Sequence, residues 1–130
     1  MNVPFPDRRA HQVLALAGFL LAAWPCAAAT FTVNTTVDAV DTVPGDGFCG
    51  TAAAACSLRA AVEEAGALLG PDFIHLPAGS YPLTLGQLSV SSSCPECSLT
   101  LTGAGPATTA IDAAGRNRLL NVGGTDLTIP

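Results

Sequence analysis

Hydrophobic positions follow three different rhythms along this chain. From Val13 to Trp24 they form one run, interrupted only by Gly18. From Leu58 to Leu69 they fall at Leu58, Ala61, Val62, Ala65, Leu68 and Leu69. That is the i, i+3, i+4, i+7 spacing of one buried helix face. Elsewhere they alternate with polar residues or form short runs between turn residues, as strands do.

The helical segment has clear ends. Ser57 stands where an N-cap belongs, because its hydroxyl can accept from the backbone N–H groups of the first turn. Gly70 and Pro71 stop the helix. A helix over Ser57 to Leu69 is therefore predicted, with Ser57, Leu58, Arg59, Val62 and Leu69 as a structural cap. Glu63 and Glu64 lie off the apolar stripe and are expected to face water.

The strand-like segments are "TFTVNTTVDAV" (Thr30 to Val40), "FIHL" (Phe73 to Leu76), "YPLTL" (Tyr81 to Leu85), "SLTLTG" (Ser98 to Gly103), "TTAIDAAG" (Thr108 to Gly115), "RLLNV" (Arg118 to Val122) and "DLTI" (Asp126 to Ile129). Pro44-Gly45 and Asp46-Gly47 mark a loop before the helix. Leu101 and Leu119 are as far apart as Ile111 and Ile129. That shared spacing suggests a structural repeat of about 20 residues. The fold class is mainly β: the start of a solenoid that turns a corner after each strand, or alternatively an antiparallel meander.

The segment 1–29 reads as a secretory leader: Arg8, Arg9 and His11, then the apolar run, then "PCAAAT". The run is short of the roughly 20 residues a membrane span needs. Asp7 is unusual in such a segment. Ala27 and Ala29 occupy the small-residue positions, so cleavage is expected after Ala29. A lipid-modified Cys26 is the alternative, and Pro25 fits it poorly. The segments are then 1–29 (leader), 30–72 (strand, loop and helix) and 73–130 (first coils). The last of these stops at Ile129-Pro130 with no second cap in view, as in a truncated product or the beginning of a longer protein.

Charge changes the picture only by exclusion. Beyond position 29 there are three arginines against nine acids, a net charge of −6, and the chain contains no lysine. Phosphate recognition needs clustered cations, so nucleic acid is not an expected partner. The four cysteines beyond the leader, Cys49, Cys56, Cys94 and Cys97, are an even set and read as disulfides in an exported chain. Three pairings are possible, and the local one, Cys49–Cys56 with Cys94–Cys97, needs no long-range assumption.

"CSLRAAVEEA" (Cys56 to Ala65), together with "FTVNTTVDAVDTVPGDGFC" before it and "DFIHLPAGSYPLTL" after it, resembles the signature of the CSLREA-domain family of exported bacterial proteins. The resemblance covers roughly Phe31 to Leu85. Ala60 stands where that signature has Glu, so a capping box with Ser57 is missing. The resemblance implies a right-handed, pectin-lyase-like parallel β-helix with an N-terminal cap. A capping helix fits the physics of a solenoid, whose first coil exposes an unpaired strand edge and the end of its core.

Candidate chemistry is sparse. Cys94-Pro95-Glu96-Cys97 is a CxxC, but a strand-like run follows it, so no helix dipole is available to activate a thiol. The cysteine spacing does not match common zinc sites. Asp38, Asp41 and Asp46 lack the ordered spacing of a calcium loop and read as turn formers. His75 alternates with Ile74 and Leu76 and should point outward. Asp112 and Asp126 are the nearest approach to a glycosidase pair, and nothing in the pattern sets them across a cleft. No catalytic residue, metal or cofactor is assigned. The expected role is a non-enzymatic secreted or cell-surface module for adhesion, or for binding extracellular polysaccharide or cell-surface components, with no membrane span after cleavage. The alternative is the capped start of a polysaccharide lyase or glycoside hydrolase whose catalytic coils are absent.

Overall fold

The computed structural model describes residues 26–92, 94 and 96–130. Most of the expected leader lies outside these residues. Eight strands and one helix follow in order: β1 (Thr30–Thr32), α1 (Leu58–Ala67), β2 (Pro71–Leu76), β3 (Gly79–Pro82), β4 (Leu88–Ser91), β5 (Ser98–Gly103), β6 (Thr109–Asp112), β7 (Leu120–Gly123) and β8 (Asp126–Thr128).

Every ladder among the described residues is parallel, so the antiparallel meander is ruled out. Three sheets form, ordered β1-β2-β5-β8, β3-β6 and β4-β7. Successive strands pass from one sheet to the next and then return. Pro71 lies beside Ser98, and Ser98 beside Asp126. Gly79 lies beside Thr109, and Leu88 beside Leu120. Each return thus takes roughly 30 residues, and the shorter repeat expected from the sequence is wrong. The spacing of Leu101 to Leu119 and of Ile111 to Ile129 joins positions in different parts of the fold. Leu101 in fact stacks on Ile74, and Ile111 on Tyr81. Spacing alone misses β4, the third strand of the turn. With only Leu88 and Val90 as apolar positions between a glycine turn and a serine run, β4 carries little pattern.

Alternation holds within the longer strands. In β2, Asp72, Ile74 and Leu76 point inward while Phe73 and His75 point outward; in β5, Leu99 and Leu101 point inward. Inward residues stack by register, Phe31 on Ile74 on Leu101, and form one core with Tyr81, Leu83, Leu88 and Val90. The first strand is shorter than expected. After Val33 the chain leaves the sheet, because Asn34 and Cys56 exchange bonds: Asn34 N–H donates to the Cys56 carbonyl and Asn34 Oδ1 accepts from Cys56 N–H, at 2.9 and 2.8 Å. Val37 and Val40 are consequently exposed in a loop.

The helix starts as expected. Ser57 is extended, and its Oγ accepts from Ala60 N–H at 3.0 Å. Ala60 itself is fully buried, so a glutamate there would have to displace its surroundings. The helix ends at Ala67 rather than Leu69, with Leu68 as C-cap. Leu69 is 58 % exposed and plugs nothing, which corrects its assignment to the cap. Leu58, Ala61, Val62 and Ala65 do join the core, and α1 packs against β2 and β4.

The acidic side of the helix is not a solvated face. Glu64 is fully buried and Glu63 half-buried. The loop from Asp38 to Gly50 lies over them. Glu64 Oε2 accepts from Gly45 N–H at 2.6 Å, and Oε1 accepts from Gly47 N–H. Both glycines have positive φ, 96° and 89°, a region that costs most residues steric strain. That turn lets two loop amides converge on one carboxylate. Glu63 Oε2 accepts from Asp41 N–H at 2.8 Å. The helix is thus sandwiched between the strands and its own preceding loop.

Candidate functional site: the outward face of the four-stranded sheet

The sheet β1-β2-β5-β8 is the widest outward surface, and its register sets which side chains share it. One row runs Thr30, Phe73, Thr100, Thr128; a second runs Thr32, His75, Thr102; a third runs Pro71, Ser98, Asp126. Neighbouring positions in a row are about 4.8 Å apart, the ordinary strand spacing. Thr30, Thr32, His75, Asp126 and Thr128 are exposed, and Ser98, Thr100 and Thr102 half-exposed. Phe73 is 40 % exposed amid these hydroxyls. A regular array of hydroxyls around one aromatic ring offers hydrogen bonds and a stacking surface, with little charge. His75 points outward, as its alternation indicates.

The remaining candidate residues hold the fold together. Asp38 pairs with Arg59, and both side chains are buried by the contact. Arg59 Nε donates to Asp38 Oδ1 at 2.7 Å, and Nη2 to Oδ2 at 3.1 Å. The same guanidinium donates to the carbonyls of Gly86 and Gln87, while Asp38 also accepts from Leu85 N–H. Burial alone would raise the Asp38 carboxyl. The Arg59 hydrogen bond, the Leu85 amide and the Arg59 charge outweigh it and hold the group below its ordinary value.

Asp41 and Asp46 are turn formers. Asp41 accepts from Val43 N–H and Gly50 N–H, and Asp46 from Phe48 N–H. Among the described residues no cluster of three His, Cys, Asp or Glu side chains could hold a metal ion. Asp112, in β6, accepts from Ala114 N–H in its own turn and belongs to a different sheet from Asp126. The cysteines pair locally, Cys49 with Cys56 and Cys94 with Cys97, with Cα separations of 5.0 and 5.3 Å. Strand β5, not a helix, follows the CxxC. An apolar cleft of about 600 Å³ borders Leu76, Leu101, Ile111, Leu119 and Ile129, and its lining includes no ionisable side chain.

One buried acid is absent from the candidates that the sequence suggests. Asp72 is 2 % exposed and points inward at the start of β2. Its Oδ1 accepts from Ala29 N–H at 2.9 Å. Burial raises its carboxyl above the ordinary value and the charge of Glu64 adds to that, against the opposing Ala29 hydrogen bond. The signal that could have found it is parity: Asp72 alternates in step with Ile74 and Leu76.

Comparison with known proteins adds no assignment, since no family model, curated protein or solved structure matches this chain. Among the described residues no helix is long and apolar enough to cross a membrane.

Proposed function

We propose that this chain is the capped beginning of an exported parallel β-helix protein of the CSLREA type, serving as a non-enzymatic module that binds polysaccharide or other cell-surface material. Two things support the β-helix reading. One is the return of the chain to each sheet after roughly 30 residues, always in parallel register. The other is the helix packed on the first strands. The observation that carries the binding reading is the outward row Thr30, Phe73, Thr100, Thr128 with Thr32, His75 and Thr102 beside it. Sugars present apolar ring faces and hydroxyl edges. An aromatic ring set among threonine hydroxyls matches both. Among the described residues Asp126 is the one carboxylate on that face, where glycoside hydrolysis calls for two.

The test is co-sedimentation of the purified chain with insoluble polysaccharides and bacterial cell walls, alongside a Phe73→Ala variant. Binding that falls about tenfold in the variant, with an unchanged melting temperature, supports the reading. Loss of a stacking contact of about 1–2 kcal/mol corresponds to roughly that factor. Cleavage of the polysaccharide by the parent chain would instead establish the enzymatic alternative.

A further inference from the structure

We infer that the mature chain begins at Ala29, one residue earlier than the leader pattern suggests, and that its new α-ammonium forms a buried ion pair with Asp72. The inference rests on the exported reading. It is carried by the change in anchoring along residues 26–29. Cys26, Ala27 and Ala28 are exposed, and Cys26 and Ala27 lie against Gly70 without the hydrogen bonds that hold Ala29. Ala29 is held at three points. Its N–H donates to Asp72 Oδ1 at 2.9 Å, its carbonyl accepts from Phe73 N–H at 2.9 Å, and its side chain packs against the core. Cleavage after Ala29 would remove all three and strip a buried carboxylate of that donor. Cleavage of the Ala28–Ala29 bond keeps them, and leaves Cys26 and Ala28 as the small residues at the −3 and −1 positions.

The step is hydrolysis by a leader peptidase. Water adds across the amide, Ala28 leaves with the new carboxylate, and the Ala29 nitrogen takes up a proton as an ammonium. That nitrogen already sits at hydrogen-bonding distance from Asp72, so processing turns a neutral donor into a cation without moving it. A carboxylate as buried as that of Asp72 is costly with neutral donors and is stabilised by a cation. Removal of Cys26 also leaves four cysteines, all of them paired.

The chain has no lysine, so amine reagents report on the α-amino group alone. The experiment expresses the full-length chain in an exporting bacterial host and takes the intact mass and N-terminal sequence of the product. A start at Ala29 is expected. A start at Thr30, or a lipid-modified Cys26, overturns this inference while leaving export intact; an unprocessed chain overturns the export reading as well. The purified product is then acylated at neutral pH. Labelling of the folded protein should be at least about tenfold slower than of the unfolded protein, since a carboxylate partner that raises the amine pKa by about one unit cuts the reactive fraction tenfold. Acetylation in denaturant followed by refolding should lower the melting temperature by about 5 °C or more. Asp72→Asn should lower it in the free-amine protein and leave it equal or higher in the acetylated one. Equal labelling rates, or the same response to Asp72→Asn in both forms, would refute the ion pair.

Discussion

Arg59 on the helix and Asp38 in the preceding loop form a two-pronged ion pair with Nε to Oδ1 at 2.7 Å, both side chains almost wholly out of solvent. The pair connects three segments distant in sequence: the loop after β1, the first turn of α1, and the Leu85–Gln87 turn that leads into β4. It thus fixes the helix against the first turn of strands from the polar side, while Leu58 and Val62 do so from the apolar side.

Removing one partner strands the other in a low-dielectric site. Arg59→Ala and Asp38→Ala should each cost about 3–5 kcal/mol, a large share of the roughly 5–15 kcal/mol typical of a domain. The pH dependence follows from the depressed Asp38 carboxyl. Its contribution is complete above the unfolded-state value near 3.8 and is lost as pH falls through the lower folded value. Urea unfolding from pH 7 down to pH 2 checks this. The parent should lose stability below about pH 4 more steeply than Asp38→Asn. Identical acid limbs would remove the pair from the account.

Glu63 and Glu64 should behave differently despite being neighbours. Glu64→Gln leaves one oxygen for the Gly45 and Gly47 amides and turns an NH2 toward one of them. A loss of about 1–3 kcal/mol is expected for the unsatisfied donor. Glu63→Gln retains an oxygen for Asp41 N–H at a half-exposed site and should cost less than about 1 kcal/mol. Denaturation midpoints of the two variants, compared with the parent, decide it; equal losses would mean the loop does not depend on the Glu64 cradle.

The Cys49–Cys56 bond ties the loop to the start of the helix. For so short a ring the chain-entropy relation gives about 2.5 kcal/mol, so the double Cys→Ala variant should be less stable by roughly that amount. Peptide mapping without reduction should recover the 49–56 cross-link. Peptides joining Cys49 to Cys94 or Cys97 would show the pairing to be different.

Legibility follows locality. The helix start is readable because Ser57 and the Leu58, Ala61, Val62, Ala65 stripe are near neighbours in sequence. Strands β2 and β5 are readable because alternation is strict in both. The Glu64 cradle is not, because its donors lie 17 and 19 residues upstream in a loop whose shape depends on two left-handed glycines. Turn signals mark those glycines, but no periodicity says that a turn will close on a helix. For the same reason the sequence shows no partner for Arg59: its acceptors lie 21 to 28 residues away. The outward row of threonines around Phe73 depends on inter-strand register, which segment spacing alone misjudges.

Gly66 gives the sharpest test of how the helix sits on the strands. A glycine inside a helix costs about 1 kcal/mol relative to alanine, so on propensity alone Gly66→Ala should stabilise the protein. The structure argues the opposite. A Cβ at position 66 would lie 2.9 Å from the backbone carbonyl of Ser91 in β4, and a backbone oxygen in a parallel ladder cannot swing aside as a flexible side chain can. Either α1 lifts from β4, loosening Val62 and Ala65 from the core, or the end of β4 shifts away from β7. Overpacking of this kind costs about 1–3 kcal/mol, more than the propensity gain. The expected result is a lower denaturation midpoint for Gly66→Ala. Ala67→Gly, at an exposed position one residue on, serves as the control and should lose only the propensity difference. A stabilised Gly66→Ala would mean that the helix does not approach β4 so closely, and the packing of α1 on β2 and β4 would have to be redrawn.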